Sequence, residues 1–404
     1  MTTAQATAFD ALRTPNFARL WAAQVISSFG DKITFFALAF VSWEVTGSAL
    51  FTTLAFATSI FPLAIFGFFG GAVADAVGHR RAMVVCDLVR AALIGLIPAL
   101  LAVQAPLPAI YALVFVAAMC SAVFNPARLA VVPDLVPPSH LGASNSMVNA
   151  SDRTVEIGGS LVAGVVVAAF GAFAFYVDAA TFLVSAVLLL RITRSEPPPR
   201  PVPLRRFWHD AMDGLRFIAG HRVLRDNTVV SLVAQLSIPV LNALTPVLIF
   251  REYRLGPPQL GAAEAAIAFG AVATGLFLPF AFSRFRKGRL VVVGFAAWGL
   301  ALVGVGLSPS FPLTLVLLAV AGVTNVLFFV SNVTISQQVT PSNLRARVFG
   351  TRGALLNLTW LPIVLGVGAL ADVTTAGSLI ALAGALTVAT AMVGALFPSV
   401  RDVA

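Results

Sequence analysis

From Phe17 onward the chain alternates long apolar runs with short polar breaks. A helix needs about 20 mostly apolar residues to cross the hydrocarbon layer of a bilayer. Twelve runs reach about that length, at roughly 17–43, 50–73, 82–104, 107–127, 144–169, 172–191, 226–250, 259–282, 290–308, 311–336, 347–370 and 375–397. The breaks carry turn residues, as in Pro106-Leu107-Pro108, Gly256-Pro257-Pro258 and Ser308-Pro309-Ser310. The pattern predicts an all-α integral membrane protein of twelve transmembrane helices. The longest polar stretch, Thr193 to Arg225, falls between runs six and seven. It divides the chain into a six-helix bundle (1–192), a linker (193–225) and a second six-helix bundle (226–404). The linker opens with an extended Pro197–Pro203 segment. Beyond it Trp208, Met212, Leu215 and Ala219 share one helical face, with His209, Asp213 and Arg216 on another. That spacing fits a short amphipathic helix, on the membrane surface or in solvent.

Composition sharpens this picture. Of 404 residues, 59% are hydrophobic and 11% charged, where soluble domains carry about 25% charged. The net charge is +9, but the bases fall in short clusters between apolar runs and form no nucleic-acid-binding face. Counted by alternate breaks, Arg13, Arg19, Arg80, Arg81, Arg128, Arg191, Arg284, Arg286, Lys287, Arg289, Arg345, Arg347 and Arg401 lie on one side, with all of the linker's bases. Only Arg251 and Arg254 lie on the other. That asymmetry places both termini in the cytoplasm. The first sixteen residues are polar and the first apolar run is too long for a signal peptide. Cys86 and Cys120 lie in apolar runs and offer neither a disulfide framework nor metal-ligand spacing. There is no nucleotide-binding glycine loop, no HExxH and no histidine cluster. The expectation is no enzyme, no cofactor and no metal.

Charges inside the runs then become the candidates. Asp31 lies about eleven residues, or ~16 Å, from the inner end of run one. A charge at that depth costs at least ~2.5–3.5 kcal/mol, so it faces water or a partner. Asp31 is either a proton-coupling or substrate-contact residue, or one half of a permanent ion pair. Lys32 points about 100° away around the helix and needs its own acceptor. Run five offers Asp152, Arg153 and Glu156, and the last two can pair on one face. Cross-helix pairs Asp31–Arg153 and Lys32–Glu156 are therefore expected. Asp87 and Arg90 read as a local pair near the inner surface. Asp178 and Glu264 read as outer-end residues without a role. Gly158-Gly159 marks close packing of run five. Pro239 and Pro246 are expected to kink run seven.

The two halves echo each other. Leu135-Val136-Pro137-Pro138-Ser139-His140-Leu141 after run four parallels Gln338-Val339-Thr340-Pro341-Ser342-Asn343-Leu344 after run ten. Between runs two and three stands Gly71-Ala72-Val73-Ala74-Asp75-Ala76-Val77-Gly78-His79-Arg80-Arg81. This resembles the signature loop of the major facilitator superfamily, with Ala76 and His79 where bases are usual. Asn125-Pro126-Ala127-Arg128, Pro341-Ser342-Asn343-Leu344-Arg345-Ala346-Arg347-Val348 and Phe17-Ala18-Arg19-Leu20-Trp21 resemble the enterobactin-exporter and macrolide-efflux branch. The resemblance covers essentially the whole chain. It implies two rocking six-helix bundles, with Gly71, Asp75, Gly78, Arg80 and Arg81 forming a conformational switch loop.

The resemblance also implies that runs one, four, seven and ten line a central cavity. Thr34, Gln235, Asn242, Thr245, Asn325 and Asn332 are the candidate lining residues. Asp31, Lys32, Arg153 and Glu156 are the candidates for coupling to protons. Run four carries no mid-membrane arginine, unlike many drug–proton antiporters. The expected function is proton-coupled export of small hydrophobic or amphipathic compounds, drug-, macrolide- or siderophore-like, by a monomer in the lipid bilayer. The alternatives are a lysophospholipid facilitator and a non-transporting membrane sensor.

Overall fold

The structure, a computed structural model, describes residues 11–193, 205–284, 286–341 and 344–397. The proline-rich start of the linker, Arg194, Arg200, Arg401, Ser342 and Asn343 lie outside the described residues, as do the side chains of Trp208, His209 and Arg284. Among the described residues, nine helical stretches are long and apolar enough to cross a membrane. One of them, Pro138–Leu190, breaks at Gly171 into two passes. With helices Ala49–Val77 and Pro257–Arg284, the structure has a helix at each of the twelve positions that hydropathy marks. Spans one to four are Pro15–Thr46, Ala49–Val77, His79–Ala102 and Leu107–Leu135. Span five runs through Leu141–Thr154 and Ser160–Phe170, and span six is Ala174–Leu190. Span seven comprises Arg222–Ala234 and Ser237–Val247, followed by span eight at Pro257–Arg284. Spans nine to twelve are Lys287–Leu307, Phe311–Val339, Arg345–Val373 and Ala376–Ala395.

Local chemistry sets the breaks. Gly78 separates spans two and three at φ 97°, a left-handed conformation that side chains resist. Span seven is interrupted at Gln235-Leu236. Pro239 lies four residues on and has no N–H to offer the Gln235 carbonyl, so the helical ladder fails there. Span five carries a π turn at Val155–Gly159, the kind of bulge that favours functional segments.

The chain forms two compact units. One takes residues up to Val45 and from Ala55 to Val202; the other takes Thr46–Leu54 and everything from Pro203. The same packing recurs in each. Span three lies on spans four and six, and span nine on spans ten and twelve. A Cβ on Gly70 of span two would strike the Ala122 carbonyl of span four, and one on Gly270 of span eight would strike the Ala319 carbonyl of span ten. Backbones meet there because glycine permits it. On the outward faces Val165, Leu183, Leu300 and Leu386 are exposed, as expected of surfaces whose solvent is lipid.

Helix ends in the second unit are closed by charges of the right sign. Arg251 donates to the carbonyls of Ala371 and Thr374 at the end of span eleven. Glu252 accepts from the Ala376 and Gly377 amides at the start of span twelve. A cation at a helix C-terminus and an anion at an N-terminus both complement the helix dipole. That is the task of Arg251, one of the two bases on the base-poor side.

The sequence reading assigns Thr46–Leu54 to the first bundle. In the structure this start of span two clusters with the second unit, and Asp372 of span eleven explains why. Its carboxylate accepts from the Ala49 amide at 2.6 Å and the Ser48 hydroxyl at 2.9 Å. Asp372→Ala is expected to remove about 1 kcal/mol of capping. Hydrogen exchange should then rise at the first turn of span two while its later turns stay protected.

The linker helix, Arg205–Gly220, lies along span eleven in the second unit. Asp213 accepts from Arg347 at 2.9 Å, and Ile218 packs with Leu224 and Val348. The sequence leaves this helix on the membrane surface or in solvent; the structure docks it on span eleven.

Candidate functional site

Asp31 lies sixteen residues into span one, ~24 Å along a helix ~48 Å long. It is the half-exposed member of an otherwise buried charge cluster in the first unit. Arg90 of span three is 2% exposed and lies 3.6 Å from the Asp31 carboxylate. The same guanidinium donates to Asp87, one turn back on span three, and to Ser121 of span four at 3.2 Å. Ser185 of span six donates to the other Asp87 oxygen at 2.6 Å. The guanidinium plane is covered by Phe182, 4.2 Å from the ring centroid, and by Phe124 at 4.8 Å. These rings supply cation–π attraction and exclude water.

Span six adds a third acid. Asp178 is completely buried and accepts from the Thr34 hydroxyl of span one at 2.5 Å and from Thr181 at 3.1 Å. Gly30 makes the approach possible, because a Cβ there would collide with the Asp178 carboxylate and the Thr181 hydroxyl. Four spans thus converge on one cation and three carboxylates. A guanidinium with several carboxylates in reach can change partners, and a carboxylate that loses its cation can take up a proton.

The Asp87–Arg90 pair exists, but it is the base of this cluster and not an isolated surface pair. The cross-helix pairs Asp31–Arg153 and Lys32–Glu156 do not form. Arg153 is held by Glu156 of its own helix at 2.7 Å, and both are well exposed. Asp31 is taken by Arg90. The Lys32 stem packs toward Gly159, whose added Cβ would sit 3.6 Å from Lys32 Cγ. The third acid of span five, Asp152, accepts from Gln24 at 2.6 Å and lies 3.4 Å from Arg128. Trp21 donates to Ser151 at 2.6 Å, which fixes span one on span five.

In the signature loop, Asp75 contacts His79 at 2.9 Å, so the residue that departs from the usual base supplies the partner. Arg80 donates to the Leu189 and Leu190 carbonyls at 3.0 and 2.6 Å. It closes the end of span six together with Arg19, which donates to the Arg191 carbonyl at 2.6 Å. Arg81 is exposed and Gly78 is buried, and a Cβ on Gly71 would sit 3.8 Å from Pro126.

The second unit holds a different cluster. Arg352 of span eleven is 4% exposed and donates to Ser336, to Ser231 at 2.8 Å and to Asn332 Oδ1 at 2.6 Å. Asn332 in turn donates to Asn227 at 2.9 Å and Ser231 at 2.6 Å. Among the described residues no carboxylate pairs with Arg352. Of the cavity candidates, Asn332 therefore belongs to this network, and Thr34 belongs to Asp178. Thr245 donates to the Leu241 carbonyl of its own helix at 2.7 Å. Gln235 is buried, while Asn242 and Asn325 are half-buried.

Sequence reasoning missed Arg352, Asn227, Ser231 and Ser336, and set Asp178 aside. Signals were present. Arg352 is a base inside an apolar run, the criterion that singled out Asp31. Asn227 and Ser231 in span seven, and Asn332 and Ser336 in span ten, form polar pairs four residues apart that mark facing stripes.

Comparison with known proteins places this geometry. The "Multidrug efflux pump Tap" of Mycolicibacterium fortuitum is 28% identical over 81% of this chain and 82% of its own length. The "Macrolide efflux protein A" of Streptococcus pyogenes is 25% identical over 95% of this chain and 96% of its own length. Among solved structures, the POT family transporter PepTSo superposes with a TM-score of 0.73 at 13% identity, covering 96% of this chain and 97% of its own. A variant of the nucleoside transporter NupG superposes with a TM-score of 0.71 at 13% identity, covering 94% of this chain and 98% of its own. The fold is thus that of the major facilitators. Residues 6–401 match the family described as "Transmembrane secretion effector", and the chain belongs to that family of major facilitator transporters.

Proposed function

We propose that this transporter exports small hydrophobic or amphipathic compounds in exchange for protons, by alternating access of two bundles. One observation carries the coupling: a half-exposed carboxylate at the middle of span one, held by a buried arginine. A charge at that depth cannot face lipid cheaply, so its exposed side faces water. The relatives named as drug and macrolide efflux pumps support the substrate class. The base asymmetry supports both termini in the cytoplasm of a bacterial cell. In this reading the chain works as a monomer, needs no cofactor, binds no nucleic acid and catalyses no covalent reaction. Asp75 and Arg81 act in the conformational change, Arg80 closes the end of span six, and Gln235, Asn242 and Asn325 face the solute.

The test is uptake of radiolabelled erythromycin and of ethidium into everted vesicles. Accumulation should collapse on adding an uncoupler. Asp31→Asn should fold normally, since Asp31 is only half-buried, yet lose the uncoupler-sensitive fraction. Accumulation that survives the uncoupler in the wild type would refute proton exchange.

A further inference from the structure

The cluster around Arg90 is unbalanced. If all three acids were ionised, Arg90 would be the one cation within ion-pair distance of them, with Lys32 acting on Asp31 from farther off, and at least one negative charge would stay uncompensated; Asp87 and Asp178 have no exposed surface. An uncompensated buried charge costs several kcal/mol, and a buried acid avoids that cost by keeping its proton. The partners show which acid does so. Asp87 has the Arg90 guanidinium and the Ser185 hydroxyl. Asp31 has Arg90 at 3.6 Å and a half-exposed side chain. Asp178 has only the hydroxyls of Thr34 and Thr181, and among the described residues no cation lies within ion-pair distance. The charged groups that act on it across the packing are Asp31 of span one and Arg90 of span three.

We propose that Asp178 of span six is the protonated acid of this cluster and the proton carrier of the exchange, with Asp31 as its link to water. The proposal rests on the proton-coupled reading above. A threonine hydroxyl both donates and accepts, so Thr34 can receive the carboxyl proton across the same contact it makes to a carboxylate. Release needs a cation to replace the proton, and Arg90 is placed to serve. Its guanidinium covers Phe182, one helical turn from Asp178 on the same face of span six. Its Nε is buried and has no hydrogen-bond partner, so turning toward Asp178 leaves no satisfied bond at that nitrogen behind. The Asp178 O–H bond then breaks, the proton passes to the Asp31 carboxylate, so that the cluster still holds one proton, and the Asp178 carboxylate shares the Arg90 guanidinium with Asp87.

Infrared difference spectroscopy of the full-length protein in lipid nanodiscs at neutral pH reads this directly, without substrate or gradient. The wild type should show the C=O stretch of a protonated carboxyl group. Asp178→Asn should abolish that band, whereas Asp31→Asn and Asp87→Asn should keep it. Thr34→Val should shift its frequency, because the carboxyl loses a hydrogen-bonding partner. That shift also decides the matter if Asp178→Asn fails to fold. A band that persists in Asp178→Asn, that is unmoved in Thr34→Val, or that is missing from the wild type overturns the assignment. In vesicles, Asp178→Asn should retain gradient-independent exchange of labelled erythromycin and lose uphill accumulation. An uncoupler-insensitive wild type would sink proton exchange while leaving the band assignment standing, so the two failures are distinguishable.

Discussion

Arg90→Ala is expected to leave little folded protein. Removing one partner of a buried charge pair costs about 3–5 kcal/mol, because the stranded charge remains in a medium that cannot solvate it. Here the stranded group is Asp87, with no exposed surface, and Asp31 loses its cation as well. Most domains have only about 5–15 kcal/mol in total. The rings of Phe124 and Phe182 also lose the plane they cover. The measurement is the thermal midpoint in detergent, with size-exclusion profiles as a second reading. Arg90→Gln combined with Asp87→Asn should be more stable than Arg90→Gln alone, since the pair is then removed and not broken. If the double and the single variants melt together, Arg90 and Asp87 are not coupled and the cluster is wrongly described.

The second large effect is steric. Gly270→Val is expected to push span eight off span ten and to lower stability by about 1–3 kcal/mol, or more where no relaxation is available. A Cβ at that position meets a backbone carbonyl, Ala319, and the Val323 amide lies close behind. Backbone inside a helix cannot swing aside as a side-chain tip can. Gly322 faces span eight from the other side, against the Ile267 carbonyl, so Gly322→Val should behave alike. Gly275→Val is the control: the same helix and the same change, but with nothing within 4 Å of its added Cβ. Equal losses at Gly270 and Gly275 would mean that helix propensity and not helix contact sets the cost.

The architecture was largely legible because the bilayer imposes a minimum apolar length on every span. Each apolar run in the sequence corresponds to a helix in the structure, and Gly78 and Gly171 stand where the chain turns. Depth was the harder quantity. Asp178 looked peripheral because it falls six residues into its run. Span one has 32 residues, and its middle, at Gly30 and Thr34, meets span six at that first turn. Distance from the edge of a run measures depth only when neighbouring spans start level. The Asp87–Arg90 spacing disclosed a pair, but its reach to Asp31, Ser121 and Ser185 depends on which faces of three other helices meet span three. Nothing in a single sequence records those rotations. Arg352 escaped for a different reason. It follows Arg345 and Arg347 closely enough to be read with the loop, although one to two turns of helix separate it from them.

The grip of Arg80 on the last carbonyls of span six has a practical consequence for mutagenesis of the signature loop. Arg80 and its neighbour Arg81 look equivalent in the motif, yet one staples a helix end and the other is bare. Neutralising Arg80 should fray a helix in resting protein, so its phenotype belongs to assembly and shelf life. Neutralising Arg81 touches no such bond, and a defect there would belong to the working cycle. Variants that change both at once would merge two unrelated lesions into a single loss of activity.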